Sequence, residues 1–177
     1  AGIDQYFLSD RIKFSATFFQ NFINNLVVVE SNPVTYFGTY ENVDSANNNG
    51  VELSAELSLF KSWKTRLAYT YTQTTILTQF PQQKNAISLD TNYLITPKWL
   101  VGCGATYVGG RMQMDYTTGT VVPLDDYATL RVYTRYEINK NAALTARAEN
   151  ITNTSYETKI GYPSLPMGFY GGVEISF

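Results

Sequence analysis

The sequence contains no histidine and a single cysteine, Cys103. The first absence removes histidine-based acid–base catalysis and triads, together with the commonest transition-metal ligand. The second removes an internal disulfide framework and a zinc cluster. Charge is sparse as well: 16% of the 177 residues are charged, where about 25% is usual. A net charge of −2 with a pI near 5.1 argues against nucleic-acid binding. Long apolar runs are missing. The charge-free stretch 14–29 holds Ser15, Thr17, Gln20, Asn21, Asn24 and Asn25, so it is no transmembrane helix. No basic segment leading into an apolar one marks a secretion signal, so the mature start is expected elsewhere or the chain is expected to be a fragment. What is abundant is aromatic: 15% of residues, with 14 Tyr and 10 Phe, at a mean hydropathy of only −0.18. Disorder is excluded, because hydrophobic residues make up 44% and charge is low.

The apolar residues recur at every second position. Val51, Leu53, Ala55, Leu57 and Leu59 alternate with Glu52, Ser54, Glu56 and Ser58. A helix does not segregate that pattern, whereas a strand does so by default. The same alternation runs through Ile12–Phe18, Leu67–Tyr71, Ile87–Ile95, Trp99–Tyr107, Ala128–Ile138, Ala142–Ala148 and Phe169–Phe177. With a first strand near Ile3–Leu8, about nine long strands and no helix of note are expected. Short connections fall near 9–10, 61–63, 96–98 and 139–141, and long ones near 30–36, 78–84, 109–125 and 151–166. Alternation of short and long connections describes an up-and-down meander with all tight turns at one end, the layout of an outer-membrane barrel. Keeping faces together predicts Arg131 opposite Glu149, Tyr133 opposite Arg147, Ile95 opposite Trp99 and Asp90 opposite Gly104.

A soluble sandwich also alternates. Strand length, aromatics such as Trp63, Trp99, Tyr69, Tyr71, Tyr107 and Phe177 near strand ends, and the one-sided loops favour a lipid-facing apolar side. An odd strand count leaves unpaired edges, which hydrocarbon does not tolerate. A tenth strand, or membership of a larger barrel, is therefore expected.

The C-terminal stretch carries a resemblance. Glu149-Asn150-Ile151-Thr152-Asn153-Thr154-Ser155-Tyr156, then Gly161-Tyr162-Pro163, then Phe169 through Phe177, resembles the end of TonB-dependent outer-membrane receptors. Upstream, Tyr40-Glu41-Asn42-Val43 to Gly50-Val51-Glu52-Leu53 resembles that family's Y-x-N-x to G-x-E-x pattern, and Gly2-Ile3-Asp4, Phe7 and Arg11 resemble the preceding hairpin. The chain departs from the family at Pro166-Met167-Gly168, where P-G-R is usual, and at Thr152, where an aromatic is usual. The resemblance implies an all-β, antiparallel, 22-stranded barrel closed by a plug, with residues 1–177 as its last nine strands and the plug outside this chain. It implies uptake of a scarce solute, an iron–siderophore or cobalamin, with no enzymatic role and no cofactor. The implied partners are outer-membrane lipid, the barrel assembly machinery, the remaining barrel and plug, TonB and a small-molecule ligand. A free-standing small barrel with a structural, adhesive or pore role is the alternative.

Candidate sites follow. Tyr36, Tyr40, Phe80, Tyr116 and Tyr162 lie in or beside long loops, where exposed aromatics bind ligands or anchor the barrel. Arg131, Arg135 and Arg147, with Glu137, Glu149 and Glu174, form a charged strip on the polar face, read as ligand or plug contacts or as an ion-pair ladder of the wall. Phe169, Val173, Ile175 and Phe177 resemble the C-terminal assembly signal of outer-membrane proteins. Asp115, Asp125 and Asp126 are too few for a Ca²⁺ site and are expected in a solvated loop. Gly102 and Gly104, on the polar face, are expected to leave room for a plug or a neighbouring backbone.

Overall fold

The computed structural model describes residues 1–31, 38–75, 82–115 and 117–177. Among these, every regular element is a β-strand: β1 (Gly2–Phe7), β2 (Ile12–Ser31), β3 (Gly38–Phe60), β4 (Trp63–Thr74), β5 (Asn85–Thr96), β6 (Trp99–Gly109), β7 (Arg111–Asp115), β8 (Thr120–Leu124), β9 (Tyr127–Asn139), β10 (Ala142–Glu149), β11 (Glu157–Lys159), β12 (Tyr162–Pro163) and β13 (Gly168–Ile175). Nine of them form one antiparallel sheet in the order β1-β2-β3-β4-β5-β6-β9-β10-β13. The remaining four make two small hairpins, β7–β8 and β11–β12, inserted in the long connections. The meander read from the sequence is therefore the fold, and the hairpins within the loops are an addition to it.

Register keeps the two faces apart throughout. On one face Ala55 pairs with Leu67, Leu67 with Leu89, Leu89 with Ala105 and Ala105 with Leu130. On the other, Glu56 pairs with Arg66, Arg66 with Asp90, Asp90 with Gly104 and Gly104 with Arg131. The expected pairings of Arg147 with Tyr133 and Asp90 with Gly104 are present. The expected pairing of Ile95 with Trp99 is not. A bulge between Leu94 and Thr96 sets Thr96 opposite Trp99, because the strand bends into the tight turn there.

The hairpin of β2 and β3 is much longer than its neighbours, at 20 and 23 residues. Pairing with β4 ends at Asn48–Thr74, so the outer part of this hairpin stands about 33 Å beyond the shared sheet at ~3.3 Å per residue.

Among the described residues no second layer covers the sheet. Among the described residues only Val108, Leu124, Ala143 and Ala148 are buried apolar side chains. Leu53, Leu67, Leu89, Leu130, Val132 and Leu144 stand exposed along the middle of the apolar face. Burying one such side chain is worth about 1.5–3 kcal/mol. In water this face would forfeit stabilisation on the order of tens of kcal/mol, which a marginally stable domain cannot lose. An apolar medium removes the cost. The aromatic residues fit that boundary: Trp63 and Tyr71 in β4, and Trp99 and Tyr107 in β6, each lie about 26 Å apart along their strand. Tilted as barrel strands are, that separation approaches the ~25 Å apolar band of an outer-membrane barrel. The indole N–H of Trp63 donates to Thr91 Oγ1 and that of Trp99 to Thr134 Oγ1, both at 2.8 Å.

Candidate functional site

The polar face carries the first cluster. Asp90 in β5 accepts from Arg131 (2.6 Å) and from the Tyr133 hydroxyl (2.8 Å), both in β9. These side chains cross β6, and they do so over Gly102 and Gly104. A Cβ on Gly102 would overlap the Tyr133 ring, and one on Gly104 would lie 2.6 Å from Arg131 Nε. The glycines thus make room for two side chains of the same wall, and at Gly104 also for the neighbouring backbone at Leu89 O, 3.2 Å from where a Cβ would lie. Gly102→Val is expected to destabilise the sheet by about 1–3 kcal/mol through overpacking. Denaturant unfolding measures this, and in the Tyr133→Ala background the penalty should shrink.

The charged strip expected from the sequence is assembled on this face. Arg135 reaches Glu137 at 2.6 Å and Glu174 at 3.0 Å, and Arg147 reaches Glu149 at 3.6 Å while covering the Tyr170 ring at 4.8 Å. The register pairs Arg147 with Tyr133 and Ala148 with Val132, which carries Glu149 opposite Arg131 as expected, while the Arg131 ion pair is made across β6 with Asp90. The ion-pair partner of Glu149 is Arg147 on its own strand. All these pairs are partly exposed, so each contributes about 0–1 kcal/mol. They line a broad hollow spanning β3 to β13.

The second cluster lies at the long-loop end and was not foreseen. Arg111, at the start of β7, is 4% exposed. It donates to the carbonyls of Asp125 (3.0 Å), Glu157 (2.7 Å) and Thr158 (3.0 Å), and its guanidinium sits 5.1 Å from the centre of the Tyr127 ring. Tyr127 stacks on Tyr156 with ring centres 3.7 Å apart. Buried Gln113 accepts from the Ile160 N–H at 3.0 Å. Gln82 bonds Met112 through both backbone groups. One arginine therefore joins β7–β8 to β11–β12. Asn150, in the left-handed region at φ 49°, closes the second loop: its amide donates to the carbonyls of Thr154 and Leu165 and accepts from the Thr154 N–H.

The loop aromatics divide. Tyr40 and Tyr162 are exposed at 80% and 62%, and the Lys159 ammonium lies over the Tyr162 ring. Tyr36, Phe80 and Tyr116 lie outside the described residues. The loop carboxylates serve their own turns. Asp115 accepts from the Thr117 N–H and the Thr118 hydroxyl, and the Thr117 bond holds its carboxyl below the usual range. Asp126 accepts from Tyr107 and from the Gly110 N–H. At the C-terminus, Phe169, Val173 and Ile175 share the exposed apolar face, and Phe177 follows β13, whose ladder is extended by the Ser176 N–H to Asn141 O bond.

A single antiparallel layer, apolar and uncovered on one side and polar over a hollow on the other, is a segment of transmembrane β-barrel wall. Residues 1–151 match the barrel domain described as TonB dependent receptor-like, beta-barrel, and the chain belongs to that family. It is 26% identical over 188 residues to the vitamin B12 transporter BtuB of Vibrio cholerae serotype O1, covering 100% of this chain and 29% of that protein. It is also 26% identical over 173 residues to the probable TonB-dependent siderophore receptor PiuA of Acinetobacter baumannii, covering 86% and 22%. Among solved structures, the ferric-catecholate import receptor Fiu from E. coli K12 superposes with a TM-score of 0.71 at 25% identity, covering 99% of this chain and 27% of Fiu. The ferripyoverdine receptor of Pseudomonas aeruginosa superposes at 0.73 and 21%, covering 99% and 26%. The chain thus spans less than a third of the length of these relatives.

Proposed function

We propose that these nine strands are the closing arc of a plugged outer-membrane barrel of about 22 strands, and that the whole protein imports a scarce solute with energy delivered through TonB. The observation that carries this reading is the uncovered apolar face on a sheet with two free edges. Hydrocarbon accepts such a sheet only when the edges are closed by further strands. The plug and the TonB-contacting segment are assigned to parts of the protein beyond these strands. The solute belongs to the iron–siderophore or cobalamin class, as the names of the two curated relatives suggest. Arg131, Arg135, Arg147, Glu149 and Glu174 face the lumen and its plug. Tyr40 and Tyr162, with Tyr36, Phe80 and Tyr116, are the ligand-contacting candidates of the outer loops. Phe169, Val173, Ile175 and Phe177 present the strand that the assembly machinery recognises. The fold performs binding and gated passage, and no bond-making step is assigned to it.

The test is uptake. Deleting the gene in its host should abolish accumulation of one radiolabelled solute among a panel of ferric siderophores and cyanocobalamin. Removing TonB should abolish the same uptake. Unchanged uptake of every solute sinks the receptor reading, and passage that persists without TonB favours a free-standing pore.

A further inference from the structure

Each short turn of the main sheet carries one cation: Arg11 in the 8–11 turn, Lys61 in 61–62, Lys98 in 97–98 and Lys140 in 140–141. Because the sheet is a meander, all of these turns stand on one rim. The chain as a whole has a net charge of −2, yet the four turns contain a single acidic side chain, Asp10. Turn geometry does not ask for the cations, since two-residue hairpin turns favour Asn, Asp and Gly.

Most of the wall cations are ion-paired: on the polar face Lys13, Arg66, Arg131, Arg135 and Arg147 each have a carboxylate partner, and Lys64 in β4 has none among the described residues. Arg11, Lys61, Lys98 and Lys140 are exposed, and none has an ion-pair partner among the described residues. They sit just past the outward aromatics of the same end. Lys61 lies between Phe60 and Trp63, whose rings stack at 6.2 Å, and Lys98 immediately precedes Trp99. Such aromatics mark the border between hydrocarbon and headgroups, and a lysine one step further reaches the headgroup phosphates with its apolar stem still against the wall. At about 4.8 Å per strand, successive turns stand about 10 Å apart, near one Debye length, so an anion beside one cation feels the next.

We propose that the short-turn rim is a binding belt for the phosphate groups of anionic phospholipids in the leaflet that this rim enters. The proposal rests on the barrel reading above and adds to it a lipid class and a surface. Each cation near a membrane surface contributes about a fivefold preference for anionic lipid.

The full-length protein would be placed in bilayer nanodiscs of phosphatidylcholine with a minority of phosphatidylglycerol, then released for native mass spectrometry to count retained lipids. The wild type should retain phosphatidylglycerol severalfold above its share. The combined variant Arg11→Gln, Lys61→Gln, Lys98→Gln, Lys140→Gln should lose that enrichment. Lys84→Gln with Lys159→Gln, at the opposite end, should keep it. Millimolar inorganic phosphate should leave the retained lipid in place. Equal enrichment in the rim variant and the wild type overturns the belt. Release of the lipid by inorganic phosphate overturns it too, since the rim would then be a general phosphate site. Heat-modifiable gel mobility reports whether each variant is folded. For a rim variant that does not fold, the single substitution Lys98→Gln should lower the enrichment severalfold, and no change overturns the belt. A wild type that does not enter the bilayer sinks the barrel reading and the belt with it, whereas one that enters without lipid preference sinks the belt alone.

Discussion

Arginine in place of Leu89 is expected to destabilise the barrel by about 2–4 kcal/mol, whereas arginine at the adjacent Ser88 should change stability by less than about 0.5 kcal/mol. The two positions are neighbours in β5 and differ only in the face they occupy. Leu89 lies between Leu67 and Ala105 in the middle of the uncovered apolar side. A guanidinium there has no water, no partner and a long way to snorkel. Ser88 lies between Ala68 and Thr106 on the polar side, within the hollow lined by Asp90 and Glu56. A guanidinium there meets water and carboxylates. Equilibrium urea unfolding of the full-length protein in lipid vesicles, followed by tryptophan fluorescence, gives both values. Similar small effects at both positions would mean that the Leu89 side is not immersed in hydrocarbon.

This contrast draws on the part of the structure that was legible in the sequence. Alternation in 51–59 and its repeats located eight of the nine wall strands, because a strand that is apolar on one face writes that face into every second residue; the first strand, β1, was placed beside them without such a pattern. The short connections were legible for the same reason: the alternating pattern stops and restarts within a few residues. What stayed hidden lacked a local signature. The bulge at 94–96 is a backbone accommodation to the turn and changes no residue type. The β7–β8 hairpin reads Arg-Met-Gln-Met-Asp and Thr-Val-Val-Pro-Leu, too short and too mixed to declare a period. The link from Arg131 to Asp90 spans the intervening strand β6. Its one clue was the pair Gly102 and Gly104 on the polar face between them, two positions stripped of side chains where other side chains had to pass. Asn150 and Tyr156, which carry part of the family resemblance, turn out to act within their own loop and against Tyr127. A motif useful for recognition is here a device for closing a loop.

Arg111→Leu is expected to loosen both loop hairpins together while leaving the wall intact. The side chain is enclosed, and among the described residues no carboxylate pairs with it. Its charge is met by three backbone carbonyls and a tyrosine face. Those carbonyls belong to two separate connections, one ending at β9 and one holding β11. Leucine would fill part of the volume but leave the oxygens of Asp125, Glu157 and Thr158 without this donor. Stranding buried polar groups costs about 1–3 kcal/mol, so amides held by the bracket should exchange with solvent about 5- to 150-fold faster. The informative amides are Ile160, bonded to Gln113, Ser164, bonded to Tyr156, and Met112, bonded to Gln82. Lysine at 111 keeps the charge but not the planar fork that reaches two loops at once, so its effect should be intermediate. Hydrogen exchange on the full-length protein distinguishes two cases. If Ile160 and Met112 accelerate together while Ala105 in β6 does not, the two hairpins are one rigid unit on a stable wall. If only Ile160 responds, Arg111 merely tethers the second hairpin to a first that stands without it, and the loops are free to answer a ligand separately.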